Sequence, residues 1–126
     1  MPTHESSAGV SSFRELVVWQ RGMDLVVEVY SVSKRFPNDE RFGLTAQLRR
    51  AAVSIPANIA EGNARHSRAE YRHFISIAHG SVAELETELV IAERLGFTSA
   101  PELAAIRDQA TVISRMLTNL RRSLKD

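Results

Sequence analysis

Between residues 103 and 124 the apolar residues Leu103, Ile106, Ala110, Ile113, Leu117, Leu120 and Leu124 recur at alternating spacings of three and four. That spacing lays them along one narrow a/d seam of an α-helix, the geometry of bundle packing. A chain carrying such a seam must supply other helices to cover it. Residues 71–92 offer a similar seam: Tyr71, Phe74, Ala78, Val82, Leu85, Leu89 and Ala92. Leu44, Leu48, Ala52, Ile55 and Ile59 form a third. The first helical segment carries two. One is Leu16, Trp19, Met23, Val26 and Tyr30; the other is Val18, Leu25, Val29, Val32 and Phe36. An outer helix of a monomeric bundle needs one apolar face. The second face implies either burial against another subunit or a wider core contact.

Capping signals divide these segments. Ser12, Ser67 and Ser99 each open a Ser-x-x-Glu box with Glu15, Glu70 and Glu102, predicting the starts of the first, third and fourth helices. Pro101 is harmless in a first turn, where N–H groups lack intrahelical partners. The second helix is expected to start at Asn38, with Asp39 and Glu40 at its positive end. Gly62 and Gly96 are read as C-terminal stops. Short connections then require antiparallel neighbours, an all-α up-down-up-down four-helix bundle. No segment suggests strands or repeats. With 126 residues the chain suits a single domain, placed at 13–126 after a polar tail at 1–12 that is expected to be flexible.

The stretch QLRRAAVSIPANIAEG, residues 47–62, places Pro56 inside the second helix. Proline removes one backbone hydrogen bond and crowds the carbonyl four residues back, Ala52, at a cost of about 3 kcal/mol in a helix interior. It also biases Ile55 away from α geometry. The apolar series runs in phase across Pro56, so a kinked helix is expected rather than two separate ones. Gln47, Arg50, Ser54, Asn58 and Glu61 form a polar ladder at spacings of three, four, four and three, along one helical face. Pairing back from the 62–67 turn brings Gln47 and Arg50 near Ser81 and Glu84, with Arg50–Glu84 a candidate ion pair. The ladder has three readings: a polar network or oligomer interface, a solvated face of little energetic content, or a ligand site.

The segments FRELVVWQ at 13–20, Phe36-Pro37, Gly43-Leu44, QLRRAAVSIPANIAEG and GSVAE at 80–84 resemble the bacterial four-helix-bundle proteins named for intervening sequences in 23S ribosomal RNA genes. The resemblance covers about residues 13–97. It implies an antiparallel bundle that assembles as a homo-oligomer, a ring of five subunits. A kinked second helix would make a wedge-shaped protomer suited to closing such a ring. A more distant similarity is to the pentameric accessory proteins of diversity-generating retroelements, which bind nucleic acid and a reverse transcriptase. The family supplies no catalytic residues to carry over.

The residues themselves hold no catalytic constellation. Glu70-x-x-His73 is the element of di-iron bundles, which need two copies plus two further Glu; this chain has one copy. His66, His73 and His79 lack the i, i+4 spacing of paired ligands on one helical face. Glu84, Glu86, Glu88 and Glu93 read as a solvated acidic face, with no nucleophile or phosphate loop beside them. Cysteine is absent, which removes disulfides and thiolate metal sites and fits a reducing, cytoplasmic location. No apolar run reaches the roughly 20 residues of a membrane span. No cofactor or metal is expected, and the chain reads as non-enzymatic.

Charge carries the functional expectation. Fourteen of sixteen basic residues are Arg, the side chain suited to bidentate phosphate contacts; a GC-rich coding bias explains the same excess. In the expected topology one half of the bundle contains residues 1–24, 52–78 and 112–126. Its nine bases against six acids leave +3, while the other half carries −2. Repeated around a ring, the basic end would attract phosphates, although ordinary surface charge is an even alternative. Candidate contacts to RNA or DNA are Arg65, Arg68, Arg72, Arg121, Arg122 and Lys125. Candidate network or interface residues are Gln47, Arg50, Ser54, Asn58, Glu61 and Glu84. Aromatics for base stacking are scarce at this end apart from Tyr71, so binding should be electrostatic and weakly sequence-selective. The alternative is a protein-interaction scaffold without nucleic-acid contact.

Overall fold

A computed structural model describes residues 12–125. The expected tail therefore lies outside the described residues, apart from Ser12. Four α-helices follow one another: α1 (Val17–Ser33), α2 (Leu44–Asn63), α3 (Arg68–Arg94) and α4 (Ala100–Ser123). Short 3-10 turns at Phe13–Glu15 and Asn38–Glu40 precede α1 and α2. Among the described residues there are no strands. Packing joins successive helices and returns from α4 to α1, with α2 and α3 sharing the most extensive contact. Arg21–Gln109 and Arg35–Glu102 contacts run in opposite senses along α1 and α4, as the antiparallel bundle requires.

The caps differ in detail from the sequence expectation. Ser12 Oγ does accept from the Arg14 N–H at 3.1 Å, but it caps a 3-10 turn. Leu16 is extended there (φ −76°, ψ 126°), so α1 starts at Val17. Burial of the Leu16 side chain gives a reason for the break: a continuous helix would rotate it out of the core. Asn38 likewise opens only a 3-10 turn. Helix α2 starts six residues later, its Leu44 N–H donating to Glu40 Oε1 at 3.0 Å. The acidic residue thus stabilises the positive helix end from outside the helix. Ser67 caps α3 through the Glu70 N–H at 3.0 Å. At α4 the Glu102 carboxylate returns to the Ser99 N–H at 3.1 Å. The Thr98 hydroxyl above all holds that carboxyl below the usual range; desolvation opposes it, and Arg35 and the Ser99 N–H and hydroxyl add to the lowering.

Gly96 does end a helix. It sits at φ +79°, and the Phe97 and Gly96 N–H groups donate to Ala92 and Glu93 carbonyls at 2.9 and 3.0 Å, the two bonds of a Schellman turn. Gly62 does not. It lies inside α2, where a Cβ would stand 3.0 Å from both Phe74 Cβ and Tyr71 Cδ1. Glycine is needed at 62 so that α2 and α3 can approach closely.

The seams of α2 and α4 are buried throughout. In α3, Ile75 replaces Phe74 in the core; Phe74 is half-buried, with the Arg65 guanidinium 4.8 Å over its ring. In α1 the seam Val18, Leu25, Val29, Val32 and Phe36 is the core face. The other seam is only partly covered: Leu16 is buried and Trp19 and Val26 half-buried, but Met23 and Tyr30 are exposed. Helix α2 remains one helix through Pro56, and Ile55 stays helical. Pro56 is buried against Gly22 of α1, where a Cβ would make ordinary van der Waals contact with the proline ring. Full burial of Leu48, Ala52, Ile55 and Ile59 on one face offsets the local cost of the proline.

Candidate functional site

The polar ladder on α2 divides into three parts. At its centre Ser54 Oγ and Ser81 Oγ of α3 lie 2.8 Å apart. Asn58 Nδ2 donates to the Ser54 carbonyl and hydroxyl, both at 2.8 Å, and the Ser81 hydroxyl donates to the Ile77 carbonyl at 3.2 Å. Each half-buried polar group here has a partner. Beyond it, toward α3, Glu61 pairs with Arg65 at 2.6 Å in an exposed i, i+4 bridge, which is worth a few tenths of a kcal/mol.

The third part is a cleft of about 440 Å³ lined by Gln47, Arg50, Ala51, Ser54 and Glu84. Arg50 and Glu84 share it without closing the ion pair expected between them: the salt bridges among the described residues are elsewhere. The Ser54–Ser81 and Asn63–Tyr71 hydrogen bonds set the antiparallel register of α2 and α3. In that register Gln47 stands opposite Glu88, one turn beyond Glu84. Glu88 is buried, not solvated as its acidic neighbours suggested, and one carboxyl oxygen has no hydrogen-bond partner. Burial, reinforced by Glu84 and opposed by Arg50, raises its pKa to about 7. Its place on the Ser81–Glu84 face was readable from spacing, but a run of glutamates obscured it.

At the basic end the six candidate cations differ in their engagements. Arg68 and Arg72 donate to the carbonyls of Ser123 and Leu124 at 2.7 and 2.8 Å, closing the C-terminal end of α4. Arg65 is held by Glu61 and Phe74. Arg121, Arg122 and Lys125 are exposed. A shallow cleft at this end is lined by Phe13, Glu61, Arg65, His66 and Glu70. Tyr71, the aromatic expected to be available for stacking, is buried; Asn63 Nδ2 donates to its hydroxyl at 3.3 Å. Phe13, whose ring is tilted 59° to that of Trp19 at 5.3 Å, is the aromatic that borders this cleft.

Other chemistry-bearing groups are engaged structurally. His79 Nε2 and Ser114 Oγ lie 2.7 Å apart between α3 and α4, a pairing the sequence did not signal. His73 packs edge-on against Phe74. Among the described residues no three His, Cys, Asp or Glu side chains gather to hold a metal. No helix among them is long and apolar enough to cross a membrane.

Fold and site together define a small all-α four-helix bundle in which nothing points to catalysis. The chain belongs to the 23S rRNA-intervening sequence protein family, whose pattern it matches over residues 14–119. The match thus extends beyond the earlier motifs into α4. A solved structure from Bacteroides thetaiotaomicron, a protein of unknown function from the S23 ribosomal protein family, superposes with a TM-score of 0.77. It shares 25% identity and covers 83% of this chain and 98% of its own. No curated protein matches.

Proposed function

We propose that this protein is a non-enzymatic homo-oligomer that associates with RNA through the basic end of its bundle. The observation that carries the reading is the exposed group Arg121, Arg122 and Lys125, at the end of α4 that Arg68 and Arg72 also engage, in the half of the chain with net +3. Arg68 and Arg72 add field there while holding α4, since cations complement a helix C-terminus. The ribosomal RNA in the family name makes RNA the first ligand to test, with DNA second. Binding that rests on these side chains is electrostatic, so affinity falls steeply as salt rises. A mobility-shift series against 23S ribosomal RNA fragments tests it: no shift at low salt, or a salt-independent one, rejects the reading.

Assembly is supported by an exposed apolar stripe on α1, with Met23 42%, Val27 68% and Tyr30 39% exposed. Val53 of α2 is also 43% exposed. The Gly22–Pro56 and Tyr30–Arg49 contacts bring α1 and α2 side by side there. Contiguous exposed apolar surface marks interaction sites. The subunit number of five follows from the family resemblance, and a kink at Pro56 is the proposed source of a wedge shape. Sedimentation of Val27→Asp and Pro56→Ala tests both. Val27→Asp should dissociate the assembly; Pro56→Ala leaving the subunit number unchanged would remove the wedge. The same stripe favours the second reading, a scaffold for another protein, which partners surviving nuclease treatment would support. The location proposed for either role is the cytoplasm.

A further inference from the structure

Helix α1 packs on α2 and α4, and α3 packs on the same two, so the helices stand at the corners of a square with four two-helix faces. Two faces are tied by their own polar contacts. Arg21–Gln109 and Arg35–Glu102 span the α1/α4 face, and His79–Ser114 and Glu93–Arg107 span the α3/α4 face. The α1/α2 face is apolar: Met23, Val27, Tyr30 and Val53 are exposed there. It holds no acid. Asp24 and Glu28 lie with Arg21 and Arg35 toward α4 by helical spacing, and Glu61, the acid of α2, lies toward α3. Its cations are Lys34, one turn beyond Tyr30, and Arg49, over the Tyr30 ring. On the α2/α3 face Ile77, Ile91 and Leu95 are exposed in the stripe that also holds Ser81, Glu84 and Glu88. Acids lead there: Glu70, Glu84 and Glu88 outnumber Arg50, with Glu61 paired to Arg65.

We propose that these two faces meet between copies of the chain, the α1/α2 face of one protomer seated on the α2/α3 face of the next. This pairing rests on the homo-oligomer reading and names its surfaces. Both faces expose apolar side chains, and their charges are of opposite sign, the complementarity that fixes a partner and its register. Two different faces make the contact heterologous. Neighbouring faces of a square look outward about 90° apart, so repeating the contact closes a ring after about four or five copies. The α1/α2 face packed on itself would stop at a two-fold dimer. Helix α2, common to both faces, then lies nearest the ring axis and α4 farthest from it, which leaves the exposed Arg121, Arg122 and Lys125 on the outside. An axis parallel to the helices keeps each residue at its own height in the neighbour. Gly22 meets Pro56 and Ser54 meets Ser81, which brings Met23 within about one turn of the height of Ile77, and Lys34 within about one turn of Ile91.

The chain contains no cysteine, so introduced cysteines report contacts without background. The full-length double variant Met23→Cys/Ile77→Cys is oxidised mildly and resolved by denaturing electrophoresis, with sedimentation of the same sample in parallel. All the positions substituted are exposed. Helices α1 and α3 stand on a diagonal of the square, beyond the roughly 7 Å Cα separation that a disulfide spans, so links form between copies. A ladder of covalent oligomers that ends at the subunit number found by sedimentation supports the pairing. Lys34→Cys/Ile91→Cys should give the same ladder at a second height. Met23→Cys/Val90→Cys should give none, because Val90 follows His79 and Glu86 onto the α3/α4 face. An oligomer that links in neither of the first two pairs overturns the proposal and leaves the homo-oligomer reading standing. A dimer linked through Val27→Cys alone does the same, since it identifies a two-fold α1/α2 contact. A monomer in sedimentation overturns both.

Discussion

Gly22 of α1 lies against Pro56 of α2 so closely that a Cβ added to it would stand 3.4 Å from the proline Cβ. A side chain at 22 would therefore touch the proline without displacing it. Three helical glycines now separate by their surroundings. Gly80 has open space at its Cβ position, Gly22 has an ordinary contact, and Gly62 would meet Phe74 and Tyr71 at 3.0 Å. Alanine gains about 1 kcal/mol of helix propensity over glycine. Gly80→Ala should therefore stabilise by about 0.5–1 kcal/mol. Gly22→Ala should be neutral to slightly stabilising. Gly62→Ala should destabilise by about 1–3 kcal/mol, because overpacking outweighs propensity. Urea denaturation of the three variants checks the order.

Glu88 gives stability a pH dependence of definite sign. Its carboxyl titrates near 7 in the folded chain against 4.5 for a free side chain. Between those values the folded state holds a proton that the unfolded state has released, so stability falls as pH rises. The full contribution is present below about pH 4.5 and is lost progressively up to and beyond pH 7, by at most roughly 3 kcal/mol. Glu88→Gln should remove that slope and be the more stable form at pH 8. Denaturant unfolding of both proteins at pH 5 and pH 8 measures the difference, which cancels other titrating groups.

The basic residues should separate into two classes. Arg72 is half-buried and donates to the Leu124 carbonyl at 2.8 Å, so Arg72→Ala should destabilise by about 1–2 kcal/mol. Arg121→Ala, Arg122→Ala and Lys125→Ala, at exposed positions, should each change stability by less than about 0.5 kcal/mol. Together those three should reduce the slope of log affinity for RNA against log salt by about 3. Thermal melts and salt-dependent binding of the same variants read both effects. A triple variant with an unchanged salt slope would remove these residues from the RNA interface.

The apolar residues Leu103 through Leu124 and Leu44 through Ile59 showed their helices in the order of the chain, because a helix repeats every 3.6 residues whatever it packs against. Ser67, Ser99 and Gly96 marked boundaries for an equally local reason: caps satisfy the free N–H and C=O groups of their own helix. Position along the chain could not assign faces where two were possible. Only the bundle decided that Val18 to Phe36 is the core seam of α1, that Ile75 displaces Phe74, and that Gly62 is a contact rather than a stop. It also decided that Glu88 is buried among glutamates that are mostly exposed, and that Arg68 and Arg72 hold the end of α4. Each of these depends on what a neighbouring helix presents several angstroms away, and side-chain volume and charge act across that gap between residues distant in sequence. Periodicity and capping were thus determined by the sequence itself, while burial, close approach and the pairing of charges were decided by the tertiary structure.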